Sequence, residues 1–154
     1  MSSGGDKMWH VSALDSFNAP TREWFRAAFA APTPVQEGAW TAIRGGRHTL
    51  VVAPTGSGKT LSAFLSSIDR LLSRPADAPA EHICRVLYIS PLKALAVDVE
   101  RNLRAPLTGI RHAAERLGTS LPEVRLGLRS GDTLPAERRG QATKPPDILL
   151  TTPE

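Results

Sequence analysis

Residues 53–60 read Ala53-Pro54-Thr55-Gly56-Ser57-Gly58-Lys59-Thr60, and this stretch decides the fold. It fits the pattern G-x-x-x-x-G-K-[ST] with alanine in place of the first glycine. The run from His48 to Ala53, with Leu50, Val51 and Val52 in a row, predicts a buried strand leading into it. After it, Leu61, Phe64, Leu65, Ile68, Leu71 and Leu72 recur at i, i+3, i+4 and i+7, which predicts an amphipathic helix laid on one face of a sheet. Strand, glycine-rich turn and helix form the setting in which this pattern has a mechanism. The glycines let backbone N–H groups approach a triphosphate, and the helix start adds a favourable dipole. Thr55, Gly56, Ser57, Gly58, Lys59 and Thr60 are therefore candidate nucleotide-binding residues. Lys59 is expected to reach the β and γ phosphates and Thr60 to place its hydroxyl on Mg²⁺, making these two the candidate catalytic residues and Thr60 the candidate metal ligand.

Upstream, Asn18-Ala19-Pro20-Thr21 carries helix-start chemistry and Trp24, Phe25, Ala28 and Phe29 follow at helical spacing, predicting a helix from about Pro20 to Ala30. Trp24 and Phe25 are expected in the core. In Pro32-Thr33-Pro34-Val35-Gln36, Thr33 stands as N-cap, Pro34 at the first helical position and Gln36 three residues after the cap. That arrangement predicts a second helix through Trp40 and Ile43, ended by Gly45-Gly46. Downstream, Arg85 to Ser90, Val124 to Arg129 and Asp147 to Thr151 predict strands separated by crossover helices, so the fold class is α/β with a parallel sheet. The Pro- and Ala-rich stretch Arg74 to Ala80 predicts a surface loop.

The 154 residues, 41% of them hydrophobic, suffice for one domain or part of one. A net charge of +4, from 19 Lys+Arg against 15 Asp+Glu, is a mild lean toward polyanions and equally an ordinary solubility charge. A lone cysteine, Cys84, excludes an internal disulfide. No apolar run approaches the roughly 20 residues of a membrane helix, and the polar start Met1 to Lys7 lacks a signal-peptide core, so no membrane partner and a cytoplasmic location are expected. Residues 1–15 are expected to be disordered.

Together these motifs resemble superfamily 2 helicases of the DEAD/DEAH-box type. Pro32 to Gln36 resembles the Q motif, Ser90-Pro91-Leu92-Lys93-Ala94-Leu95-Ala96 resembles motif Ia, Thr151-Thr152-Pro153-Glu154 resembles motif Ib, and Arg129-Ser130-Gly131-Asp132-Thr133 resembles the intervening turn. The wording is most similar to the large helicase-related (Lhr) group, with Trp-Phe in the first helix and the run P-L-K-A-L-A, over about Phe17 to Glu154. The resemblance implies an incomplete RecA-like P-loop domain over 16–154, preceded by Q-motif helices and truncated before the Walker B box, with ATP and Mg²⁺ as cofactors. It implies that Gln36 reads adenine, and that Pro91, Leu92, Lys93, Gly131, Thr152 and Pro153 lie against nucleic-acid phosphates. The implied partners are single-stranded or duplex nucleic acid, DNA or an RNA:DNA hybrid, and the remainder of a helicase with its second RecA-like domain.

A capping box alone also accounts for Gln36, an ordinary surface lysine for Lys93, and a solvated helix face for the basic run Arg101, Arg104, Arg111, His112 and Arg116. In the resembled family an Asp-Glu-x-His or Asp-Glu-x-Asp box completes the metal site and positions the water. No Asp-Glu pair occurs in this sequence, and Ser-Ala-Thr is absent as well. The expectation is an ATP-dependent helicase or translocase whose 154-residue piece does not turn over ATP alone. Two alternatives stand beside it: a non-catalytic nucleotide- or nucleic-acid-binding module, and a small P-loop kinase, against which the fifty residues before the loop argue.

Overall fold

The computed structural model describes residues 12–75 and 83–153. Order begins earlier than the sequence predicts. Ser12 accepts the Leu14 N–H and opens a 3-10 helix over Ala13–Ser16, and Leu14 is buried in the core. The remainder of the stretch expected to be disordered, residues 1–11, lies outside the described residues, as does most of the expected loop 74–80.

Two short helices follow, each started as the sequence predicts. Helix α1 spans Ala19–Ala28, and the Asn18 side chain caps it by accepting the Thr21 N–H at 2.8 Å. Helix α2 spans Pro34–Arg44 with both halves of a capping box: the Gln36 N–H donates to Thr33 Oγ1 at 3.3 Å, and the Thr33 N–H donates to Gln36 Oε1 at 2.9 Å. Helix α3, Lys59–Leu72, grows out of the glycine-rich turn. Then come strand β1 (Val86–Ile89), helix α4 (Lys93–Arg116), strand β2 (Leu126–Arg129), helix α5 (Pro135–Thr143) and strand β3 (Ile148–Thr151).

The three strands form a parallel sheet in the order β1-β3-β2, with Ile148 opposite both Val86 and Leu126, and Leu150 opposite both Tyr88 and Leu128. Those six side chains share one face by the twofold strand period. This face is buried by helices, with the Phe64 ring of α3 at 5.4 Å from Tyr88 and Leu103 and Ile110 of α4 in the same core. Leu87 and Ile89, on the other face of β1, are each 57% exposed.

One expected strand is not there. Residues 48–53 form no strand and make no backbone–backbone hydrogen bond with the described residues, and Leu50 and Val52 are 89% and 83% exposed. Three consecutive branched apolar residues favour a pleated, half-buried surface, but that preference is realised only against a neighbouring strand. None of the described strands lies beside this segment.

The N-terminal helices are bolted to α3 at both of its ends. At the far end, Asp69 of α3 is 2% exposed. Its carboxylate accepts the Asn18 N–H at 3.0 Å and pairs with the Arg44 guanidinium at 3.0 Å, while Arg44 also lies over the Phe17 ring, 4.6 Å from its centroid. A carboxylate out of water needs such charged and hydrogen-bonding partners. Phe17 and Phe25 both meet the fully buried Trp40 ring edge-on, at 5.1 and 5.5 Å. Trp24, expected in the core, is only partly buried at its margin.

Candidate functional site

The glycine-rich turn is shaped by two left-handed residues, Gly56 (φ +85°) and Gly58 (φ +83°), a conformation that costs a residue with a Cβ roughly 1–2 kcal/mol. Gly58 is the N-cap of α3 and supplies no side-chain cap. The first-turn N–H groups of α3 therefore have no intrahelical acceptor, and with the helix dipole they face an anion-seeking space. The Lys59 ammonium folds back and donates to the Ala53 carbonyl and, at 2.6 Å, to the Pro54 carbonyl. Ser57 closes the turn by donating its hydroxyl to the Pro54 carbonyl at 2.8 Å. Thr60 is exposed beside Lys59.

Helix α2 buttresses this loop, a role that its sequence discloses only in part. The Thr33 hydroxyl, besides capping α2, donates to the Ser57 carbonyl at 3.1 Å. The Trp40 indole N–H donates to the Leu61 carbonyl at 3.4 Å. Gln36 is 4% exposed, and its Nε2 lies so near Gly58 that a Cβ there would come within 2.5 Å of it. The Gln36 side chain, expected to read a base, accepts the Thr33 N–H with its oxygen and packs its nitrogen against Gly58. Of these contacts the capping-box spacing was visible in sequence. Trp40 and Asp69 carried no signal beyond their place on apolar helix faces.

The segments expected to touch nucleic acid gather at the carboxyl ends of the three strands, where open parallel sheets bind their ligands. Ile89 and Arg129 both lie level with Thr151, so Ser90-Pro91, Ser130-Gly131 and Thr152-Pro153 leave the sheet side by side. The Ser90 N–H donates to the Thr151 carbonyl at 2.8 Å. Leu92 is the uncapped N-cap of α4, leaving the first-turn amides of that helix, from Lys93 on, open. Arg138 fixes the turn after β2 by donating to the carbonyls of Ser130 (3.0 Å), Gly131 (2.7 Å) and Thr133 (2.9 Å). Lys93 forms an ion pair with Asp132 across the end of β3. The ammonium's hydrogen bond, and then its charge, hold the exposed Asp132 carboxyl below its ordinary value of 3.8. Thr152 Oγ1 is buried with no partner among the described residues.

Thr60 is a single hard oxygen suited to Mg²⁺, which keeps waters and phosphate oxygens as its other ligands. Among the described residues no group of three His, Cys, Asp or Glu side chains could hold a metal on its own. None of the described helices is long and apolar enough to cross a membrane.

Comparisons with known proteins agree with this geometry. Residues 33–154 match the model of the DEAD/DEAH box helicase family. The chain is 62% identical over 141 residues to the Lhr helicase/probable uracil glycosylase of Mycolicibacterium smegmatis, covering 92% of this chain and 9% of that protein. It is 49% identical over 145 residues to the Lhr helicase/uracil glycosylase of Escherichia coli, covering 91% and 9%. The solved structure of the Mycobacterium smegmatis helicase Lhr bound to ssDNA and AMP-PNP superposes with a TM-score of 0.84 at 59% identity, over 92% of this chain and 18% of that one. A DUF1998 helicase bound to DNA and AMPPNP shares the fold at 24% identity, with a TM-score of 0.70 over 90% of this chain and 17% of that one. The chain thus spans about a tenth of the length of these two bacterial relatives. On these matches the chain belongs to the DEAD/DEAH box helicase family and is similar to its Lhr members.

Proposed function

We propose that this chain is the nucleotide-binding part of an ATP-dependent helicase or translocase working on DNA or an RNA:DNA hybrid. The observation that carries the reading is the turn 54–60: two left-handed glycines, open first-turn amides on α3, and a lysine ammonium held on carbonyls that a phosphate oxygen outcompetes by charge. Gly56, Ser57 and Gly58 offer backbone N–H groups to the triphosphate, with Thr55 at the mouth of the turn. Lys59 neutralises the β and γ phosphates. The Thr60 hydroxyl would hold Mg²⁺ together with phosphate oxygens, and the ion would supply charge neutralisation there. Gln36 acts by keeping α2 against the loop through Gly58, in addition to any contact with adenine.

Pro91, Leu92, Lys93, Gly131, Thr152 and Pro153 line one end of the sheet and are suited to phosphates, which position a strand without reading its sequence. The Lhr relative solved with ssDNA supports a nucleic-acid partner, and the relatives' greater length supports a second domain as the other partner. The sequence holds no Asp-Glu pair, so the box that in the resembled family completes the metal site and positions the water is not among its residues. For the chain alone the reading is therefore binding without turnover. Titration with AMP-PNP and Mg²⁺ tests it: binding that Lys59→Ala removes, with no phosphate released from ATP, is expected. Absent binding, or Lys59-dependent hydrolysis, refutes the corresponding half.

A further inference from the structure

Lys93 opens helix α4 at a place where a cation is disfavoured. The amino end of a helix carries a partial positive charge that attracts anions, yet the first turn of α4 contains no acidic residue and Leu92 provides no side-chain cap. The missing negative charge comes from outside the helix, from Asp132, whose carboxylate pairs with the Lys93 ammonium. In electrostatic terms Asp132 fills a position that a phosphate also fits. The two residues arrive from opposite sides, since Lys93 follows β1, Asp132 follows β2, and β3 lies between those strands. Their bridge therefore spans the carboxyl end of β3, where Thr152 begins the next segment. Thr152 is 6% exposed, and its Oγ1 has no hydrogen-bond partner among the described residues. A buried hydroxyl left unpaired is costly, and a ligand oxygen that reaches it removes the cost.

The two ends of the bridge differ in freedom. Asp132 sits in a closed turn: the Thr133 N–H donates to the Ser130 carbonyl at 3.1 Å, and the Ser130 N–H donates to Thr133 Oγ1 at 2.8 Å. Arg138 fixes the carbonyls on either side of Asp132, those of Gly131 and Thr133. Lys93 reaches this turn on a flexible four-carbon stem. The Lys93 and Asp132 side chains are 52% and 75% exposed, and a pair so open to water holds weakly. Opening the bridge thus means swinging the lysine off a fixed carboxylate, at little cost.

We propose that Asp132 is a built-in substitute for a nucleic-acid phosphate. In the empty chain it occupies Lys93 and closes the end of β3. A bound strand displaces it and takes the Lys93 ammonium, the open amides of α4 and the Thr152 hydroxyl onto its own phosphate oxygens. The inference rests on the nucleic-acid reading of this sheet end, and the test separates the two. Because Lys93 exchanges one anionic partner for another, it adds little to the release of counterions that drives binding to a polyanion. Removing the Asp132 charge restores that contribution.

Binding of the 154-residue chain to a fluorescent oligo-dT strand is followed by anisotropy over a range of salt concentrations. The variants are Asp132→Asn, Lys93→Gln and the two combined, with circular dichroism to confirm folding. Asp132→Asn is expected to tighten binding about two- to fivefold at low salt. It is also expected to steepen the fall of log affinity with log salt by about 0.7, the share of one phosphate on a single strand. In the Lys93→Gln background the same substitution is expected to change neither quantity. If Asp132→Asn leaves affinity and slope unchanged while Lys93→Gln weakens binding, the proposal is overturned and the nucleic-acid reading stands. The proposal is also overturned if the gain persists in the Lys93→Gln background, because Asp132 then acts by repulsion alone. If neither the unmodified chain nor Asp132→Asn binds the strand, both fall.

Discussion

Replacing Gly58 by alanine separates two kinds of strain that converge on the phosphate loop. Gly56 and Gly58 have nearly the same backbone angles, φ +85° and +83°, so the left-handed penalty of roughly 1–2 kcal/mol applies equally to Gly56→Ala and Gly58→Ala. Their surroundings differ. A Cβ at Gly56 meets nothing within 4 Å, whereas one at Gly58 falls 2.5 Å from Gln36 Nε2 and 3.2 Å from its Cδ. Gln36 must then swing away and give up the bond its oxygen accepts from the Thr33 N–H, a further loss of about 1 kcal/mol. The expected cost of Gly58→Ala is thus about 2–3 kcal/mol against about 1–2 for Gly56→Ala, a difference of about 2–4 °C in melting temperature for a chain of this size. In a Gln36→Ala background that difference disappears, because no amide remains to displace. Urea unfolding of the four-variant cycle measures it. Equal costs for the two glycines, or a Gly58→Ala penalty unchanged by Gln36→Ala, refute the contact between the capped helix and the loop.

Asp69→Ala leaves the Asn18 N–H and the Arg44 guanidinium without their shared acceptor. Because the carboxylate is buried while Arg44 keeps some solvent, a loss of about 3 kcal/mol by urea unfolding is expected, and a loss under about 1 kcal/mol refutes the latch. Gly109→Ala places a methyl group against the Trp24 ring, so overpacking of about 1–3 kcal/mol opposes a helix-propensity gain of about 1. A net loss or no change is expected, and a clearly stabilised variant shows that the two do not touch. Asp132→Asn frees Lys93 from its ion pair and is expected to raise single-stranded DNA affinity by about two- to fivefold at low salt, with less gain at high salt. Since the pair lowers the Asp132 pKa below 3.8, its contribution is present above that value and is lost as pH falls below it, through the lowered value. The difference between the two proteins is therefore flat from pH 5 to 8, and a slope in that window refutes the assignment.

The parts of the fold that local chemistry dictates were legible in the sequence. Asn18 and Thr33 are caps because short oxygen-bearing side chains precede proline-led helices, and three of the strands fall within one or two residues of the expected bounds. What failed was the strand over 48–53. Leu50-Val51-Val52 announces an apolar extended segment, but pairing is a property of two segments and only one of them can be read from that run. The site divides in the same way. Gly56, Gly58 and Lys59 are named by their pattern, since a left-handed turn demands glycine. The packing of the Gln36 amide nitrogen against Gly58 joins residues more than twenty positions apart and has no local signature.

The segment Arg47 to Pro54 gives the phosphate loop a tether where the sequence predicts a beam. A loop hung from an unpaired chain must be stilled when it closes on a ligand, and fixing even two residues costs about 2–4 kcal/mol in backbone entropy. Calorimetry of nucleotide binding to this chain should therefore carry an ordering penalty. By thermodynamic reciprocity, any strand that ordered Leu50 and Val52 would tighten the grip on phosphate, and phosphate would in turn hold that strand in place.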